Sequence, residues 1–204
     1  CITVFGEVPT GQALLRSGAR AGDDIYVSGT LGDARLALDA LQGQMVLPAA
    51  ALASARQRLE CPTPRVALGM ALRGIATAAA DVSDGLLGDL GHILQQSRVG
   101  ATIDTAIATT LIAACAHSTG VNGQFDLKLP QSQMLQCVLA GGDDYELVFT
   151  APALQRPAVM AAAQASDTPV TRIGHIDAAP GLRLVDASGA PVENTFASFD
   201  HFRP

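Results

Sequence analysis

Short apolar runs of strand character and longer runs with helical spacing are intermixed along this chain, and they do not alternate strictly. A doubly wound parallel fold requires regular strand–helix alternation. The pattern therefore favours an α+β domain, a mixed β-sheet packed with helices. Strands are predicted over 2–8, 24–29, 99–103, 145–150 and 170–174, with a closing hairpin of 182–185 and 191–192 around Ala187-Ser188-Gly189. Helical spacing covers 34–41, 49–59, 86–94, 106–117, 131–139 and 154–164. Pro64 fits the first turn of a further helix running to about Ala80, with Leu68, Leu72 and Ile75 at i, i+4 and i+7 as its buried face. The first strand run starts abruptly, with nothing before it to cap or pair it, so a longer parent protein is expected.

A chain of 204 residues that is 49% hydrophobic and 16% charged has the means to bury one sizeable core, taken here as a single domain over 1–204, and is not of disordered type. Alanine makes up much of the apolar count and tryptophan is absent, so Ala, Leu, Val and Ile must build that core. The net charge is −6 and Lys128 is the sole lysine, with no basic stripe for nucleic acid. The most apolar stretch, 71–80, contains Arg73 and is too short for a membrane span. Cys1, Cys61, Cys115 and Cys137 are widely spaced, which reads as reduced, mostly buried thiols in a cytoplasmic protein rather than a zinc site or disulfide framework.

Two segments have the residues for chemistry. In Asp81-Val82-Ser83-Asp84-Gly85-Leu86, Ser83 or Asp84 suits a helix N-cap, and glycine just after allows close approach. A helix N-terminus there attracts phosphate, while Asp81 and Asp84 repel it unless a hard cation such as Mg²⁺ bridges them. An ordinary capped helix with two solvated carboxylates fits the same spacing. In Gly141-Gly142-Asp143-Asp144-Tyr145-Glu146-Leu147, two glycines precede three acidic residues and an apolar strand. That is either a turn entering an edge strand, or a tight loop presenting carboxylates to a cationic ligand or metal. Arg16 beside Gly18, and Arg65 after Pro64, read as surface arginines able to meet phosphate. Gly29-Thr30-Leu31-Gly32-Asp33 lacks the Lys-Ser/Thr pair of a P-loop and reads as a capped turn. His92, His117 and His175 have no evident partner.

Together these segments are more specific than any alone. Gly6-Glu7-Val8-Pro9, Arg16-Ser17-Gly18-Ala19, Gly22-Asp23, Tyr26 to Thr30, Pro64-Arg65, Asp81 to Leu86, Asp89 to Leu94, Gly142 to Leu147 and Phe199-Asp200-His201-Phe202 follow one another as in the thiamine-monophosphate kinases. The chain resembles that family from Ile2 to Phe202. The family is similar in turn to aminoimidazole ribonucleotide synthetase and selenophosphate synthetase.

The resemblance implies an aminoimidazole ribonucleotide synthetase C-terminal-domain-like fold that closes over ATP. It also implies an N-terminal domain, absent from this chain, that supplies most Mg²⁺ ligands and the interface of a homodimer. By motif, Arg16 and Ser83 correspond to ATP contacts, Asp81 and Asp84 to Mg²⁺ ligands, and Asp143 and Phe199 to contacts of thiamine monophosphate. The family more often has glutamate where Asp143 stands, and glycine where Ser198 stands. The implied reaction makes thiamine diphosphate, with ATP as co-substrate. The alternatives are another ATP-dependent member of the superfamily, such as a hydrogenase maturation factor or purine-pathway synthetase, or a non-catalytic nucleotide-binding module.

Overall fold

A computed structural model describes residues 3, 5–113 and 129–196. Seven strands form one mixed sheet: β1 (Asp23–Ser28), β2 (Ala78–Val82), β3 (Gly100–Asp104), β4 (Glu146–Pro152), β5 (Val170–Asp177), β6 (Gly181–Val185) and β7 (Pro191–Val192). They lie in the order β2-β4-β1-β5-β3-β6-β7. Neighbours pair antiparallel except β3 and β6, which run parallel. The helices are α1 (Asp33–Leu41), α2 (Ala49–Glu60), α3 (Val66–Ala71), α4 (Leu86–Ser97), α5 (Thr105–Ala108), α6 (Gln131–Ala140) and α7 (Arg156–Ala165). The expected α+β architecture is what the chain adopts.

Alternation along β1 explains the layering. Ile25 and Val27 point into a core shared with Leu36 of α1, Leu86, Leu90 and Ile93 of α4, and Leu139 of α6. Tyr26 points the other way, into a smaller core with Leu68 of α3, Leu72 just after it, and Val159 of α7. Helices thus cover both faces, and every residue of β1 is buried. Tyr26 stacks on Phe149 of β4 with ring centroids 5.2 Å apart, worth about 0.5–1.5 kcal/mol beyond the area the rings bury.

Three expectations fail locally. Residues 3 and 5–8 are not in a strand. The helix begun near Pro64 ends at Ala71 rather than about Ala80, because Gly74 turns the chain at φ 73° and Ala78–Val82 pairs with β4 instead. Alanine prefers helix, but here its small side chain lets the strand lie under packed helices, and tertiary contacts override the propensity. The helix expected over 106–117 is the single turn α5 followed by a 3₁₀ turn at Thr109–Leu111; residues 114–117 lie outside the described range.

Candidate functional site

Because β2 and β4 are antiparallel neighbours, the turn that leaves β2 and the loop that enters β4 meet at one end of the sheet. β2 ends at Val82, and α4 begins at Leu86 after Gly85, which sits at φ 121°. The N-cap position of α4 is Gly85, one or two residues beyond the Ser83 or Asp84 expected there. Asp89, in the first turn of the helix, ties down the turn that precedes it. Its Oδ2 accepts the N–H groups of Ser83 at 2.9 Å and Asp84 at 3.1 Å. Burial pushes the Asp89 carboxyl above its ordinary range, the two N–H bonds pull it back, and Asp81 and Asp84 push it further up.

The second loop is built on glycine. A Cβ at Gly141 would lie 2.2 Å from the Cys137 carbonyl oxygen, and one at Gly142 would lie 2.6 Å from that of Ser83. That close approach lets the Asp143 N–H donate to the Ser83 carbonyl at 2.9 Å, and the Tyr145 N–H to the Val82 carbonyl at 2.9 Å. Asp143 and Tyr145 both hold left-handed backbone, φ 68° and 52°.

The three acidic residues of this loop do not act alike. Asp143 is half-buried beside the Ser83 turn, whereas Asp144 and Glu146 are wholly buried. Asp144 caps α1 from across the chain, its two carboxylate oxygens accepting the N–H groups of Gly32 at 2.8 Å and Ala34 at 3.3 Å. Burial pushes its pKa up to about 7; the two N–H bonds oppose this, Asp33 adds to it, and Arg58 counters it. Glu146 accepts from Arg65 through Nε at 2.7 Å and Nη2 at 2.6 Å, from Arg58 Nη2, and from the Ser28 hydroxyl at 2.6 Å. Of the three carboxylates read as candidates for presentation to a ligand, two are therefore internal ties. The strand they enter is also an inner one, not an edge. Arg65, read as a surface arginine, is packed against Glu146 with 15% of its side chain exposed.

Arg16 reaches the same end of the sheet by another route. The Leu15 carbonyl accepts from Ala79 of β2 at 2.9 Å. The Ser97 hydroxyl donates to the Arg16 carbonyl and accepts from Gly18 and Ala19. Gly18 is needed there, since a Cβ would stand 2.4 Å from the Thr77 carbonyl oxygen and its φ is 125°. The Arg16 guanidinium lies 3.9 Å from the Asp81 carboxylate, with both side chains more than half exposed, so the pair adds little to stability.

The structure thus brings Arg16, Asp81, Ser83, Asp84 and Asp143 to one end of the sheet, while Phe199 lies outside the described residues. No three His, Cys, Asp or Glu converge on a common point among the described residues. Asp81 and Asp84 nevertheless fit Mg²⁺, which takes one or two carboxylates from a protein and completes its shell with phosphate oxygens and water. The sequence reading missed Asp89 and the Arg58–Glu146–Arg65 cluster. A carboxylate placed to meet N–H groups at a helix start was the available signal for Asp89; nothing local signals the cluster. Elsewhere, His175 pairs with Asp177 at 3.3 Å, Cys137 is buried and Cys61 exposed, while Cys1, Cys115 and His117 lie outside the described residues. No helix among the described residues is long and apolar enough to cross a membrane.

Residues 20–187 match the family described as AIR synthase related protein, C-terminal domain. The thiamine-monophosphate kinase of Salmonella typhimurium is 41% identical over 201 residues, spanning 98% of this chain and 58% of that protein. The crystal structure of thiamine-monophosphate kinase from Stenotrophomonas maltophilia K279a is 44% identical with a TM-score of 0.74, over 91% of this chain and 56% of that one. A further solved structure, AaThiL complexed with AMPPCP and TMP, is 29% identical with a TM-score of 0.64, over 93% of this chain and 54% of that one. The chain spans rather more than half the length of the relatives it matches.

Proposed function

Because the chain belongs to the AIR synthase related protein, C-terminal domain family, we propose that it is the nucleotide- and substrate-closing part of an ATP-dependent kinase that converts thiamine monophosphate to thiamine diphosphate. The observation that carries this reading is the 2.9 Å bond from the Asp143 N–H to the Ser83 carbonyl. It joins the loop assigned to thiamine monophosphate to the turn assigned to ATP and metal, so the two substrates meet at one seam. Supporting it are the thiamine-monophosphate kinase relatives and the AaThiL complex with AMPPCP and TMP.

In this reading, Arg16 and Ser83 hold ATP, and Asp143 and Phe199 hold thiamine monophosphate. Asp81 and Asp84 would hold Mg²⁺, which when bound would supply charge neutralisation at the phosphates. A phosphate oxygen of thiamine monophosphate attacks the γ-phosphorus of ATP in line, the bond from that phosphorus to the β–γ bridging oxygen breaks, and ADP leaves. The nucleophile is anionic at neutral pH, so no general base is needed, and catalysis is positioning with charge stabilisation. The groups that set that positioning are already aligned: Asp89 orients the Ser83 and Asp84 backbone, and Gly142 permits the approach of the Asp143 loop. Asp143 is one methylene shorter than glutamate, so this contact reaches less far. The remaining metal ligands and a homodimer interface belong to an N-terminal domain of the same cytoplasmic protein.

The test is a coupled assay on the full-length gene product with Mg-ATP and either thiamine monophosphate or free thiamine. Thiamine diphosphate formed only from the monophosphate supports the reading. Product from neither moves the function elsewhere in the superfamily, or to a binding protein.

A further inference from the structure

The loop 142–145 is held in an unfavourable shape. Two residues with side chains, Asp143 and Tyr145, occupy left-handed backbone. On the β2 side only the two backbone bonds to Ser83 and Val82 are seen. On the other side stands a buried carboxylate with an unusually large set of donors. Glu146 is gripped by the fork of Arg65, by Arg58 and by the Ser28 hydroxyl, which itself accepts from the Leu147 N–H at 2.8 Å. Arg58 also donates to the Asp144 carbonyl at 3.3 Å, on the loop itself. The carboxylate fills the space a side chain at Gly29 would need, since a Cβ there would lie 2.1 Å from Oε1.

The end of β1, the last turns of α2 and the segment before α3 therefore converge on one residue immediately after the loop. Stability alone does not call for this arrangement, because well-packed apolar side chains of similar volume commonly serve a core as well as a buried ion pair does. What two guanidinium groups add is direction: planar forks fix where the Glu146 carboxylate, and hence the adjoining backbone, must sit.

We propose that Glu146, clamped by Arg58 and Arg65, is a positioning residue that holds Asp143 against the Ser83 turn. The inference rests on the reading of Asp143 as a thiamine monophosphate contact. It assigns to the Pro64-Arg65 motif a role in substrate affinity exerted through the loop, without contact to substrate.

The test uses Arg65→Lys, which keeps the charge and removes the fork, with Glu146→Gln as a second variant that keeps the shape. In the 204-residue chain, amide hydrogen exchange read residue by residue should accelerate about tenfold at Asp143 and Tyr145, the effect of losing one charge-assisted hydrogen bond. The amides of Val148 and Phe149 should keep their wild-type rates. In the full-length enzyme, KM for thiamine monophosphate should rise by about tenfold, while kcat and KM for ATP stay within about twofold. Exchange that accelerates equally along β4, or does not change at either loop amide, overturns the proposal. Asp143→Ala, run alongside, separates the two levels. If it leaves KM for thiamine monophosphate unchanged, the assignment of Asp143 fails, and the exchange measurement alone then decides whether the clamp sets the loop.

Discussion

Gly142 approaches Ser83 so closely that a methyl group on its α-carbon would stand 2.6 Å from the Ser83 carbonyl oxygen. Backbone on both sides makes the contact rigid, so the collision cannot be relieved by rotating a side chain. Gly142→Ala should destabilise the fold by about 1–3 kcal/mol. It should also raise KM for thiamine monophosphate in the full-length enzyme. Thermal unfolding and steady-state kinetics check both parts, and a variant with wild-type values for both would contradict the seam described here.

Both N–H groups that Asp89 satisfies go to a single oxygen, Oδ2. An asparagine amide oxygen can take that place, so Asp89→Asn should unfold within about 1 kcal/mol of wild type. Asp89→Leu leaves two N–H groups without their acceptor and should cost about 2–4 kcal/mol, measured by urea denaturation.

Asp144 titrates at about 7 in the folded chain, against 3.8 ordinarily, because burial disfavours its charge. The folded state thus binds the proton more tightly than the unfolded state. Its contribution to stability is largest below about 4, falls as pH rises towards 7, and is constant above that. Asp144→Asn removes this dependence. The stability of wild type relative to Asp144→Asn should therefore decline across that interval and run parallel above it, as read from urea midpoints at successive pH values.

Asp24 behaves in the opposite sense. The Arg156 guanidinium, donating to both carboxylate oxygens, holds the Asp24 carboxyl below its ordinary range against the pull of burial, with help from Arg172. That stabilisation is present above the ordinary carboxylate pKa, about 4, and is lost as pH falls through the lowered one. Arg156→Ala should be less stable than wild type at neutral pH, and the gap should close in acid. A constant gap from pH 7 to pH 2 would show that the carboxylate is not the linked group.

Asp84→Asn in the full-length enzyme should lower turnover by at least about tenfold while leaving the unfolding midpoint near that of wild type, the pattern of a lost metal ligand. The 204-residue chain alone should show little or no turnover, since in the proposed reading most metal ligands belong to an N-terminal domain. Wild-type rates for the variant, or substantial Mg- and ATP-dependent turnover by the chain alone, would refute these roles.

Much of the scaffold is legible from residue order. The short apolar run in Asp24–Gly29, closed by a glycine, foretells a buried strand, and the spacing of Leu86, Leu90 and Ile93 foretells the buried face of α4. The alanine run before Asp81 misleads, because alanine's intrinsic preference opposes the pairing with β4 that decides its state. Asp81, Ser83, Asp84 and Asp143 could be singled out because their neighbours include glycines at tight approaches. The difference between Asp143 and the two acidic residues beyond it was hidden. The partners of Glu146 lie 81, 88 and 118 residues upstream, and those of the Asp144 carboxylate lie 110 and 112 residues upstream, so no local pattern records that these carboxylates are internal.

The position of β1 has a consequence for how the chain is made. Its flanking strands, β4 and β5, are the fourth and fifth in chain order, so Ile25 and Tyr26 leave the ribosome long before the strands that will cover them. Neither edge of this apolar segment has its complete native partner until Pro152 has emerged, and one edge stays open until Asp177 has emerged. Long-range pairing of this kind slows folding and prolongs exposure to aggregation. During synthesis, the strand that is wholly buried in the finished sheet is the one that waits longest for its partners.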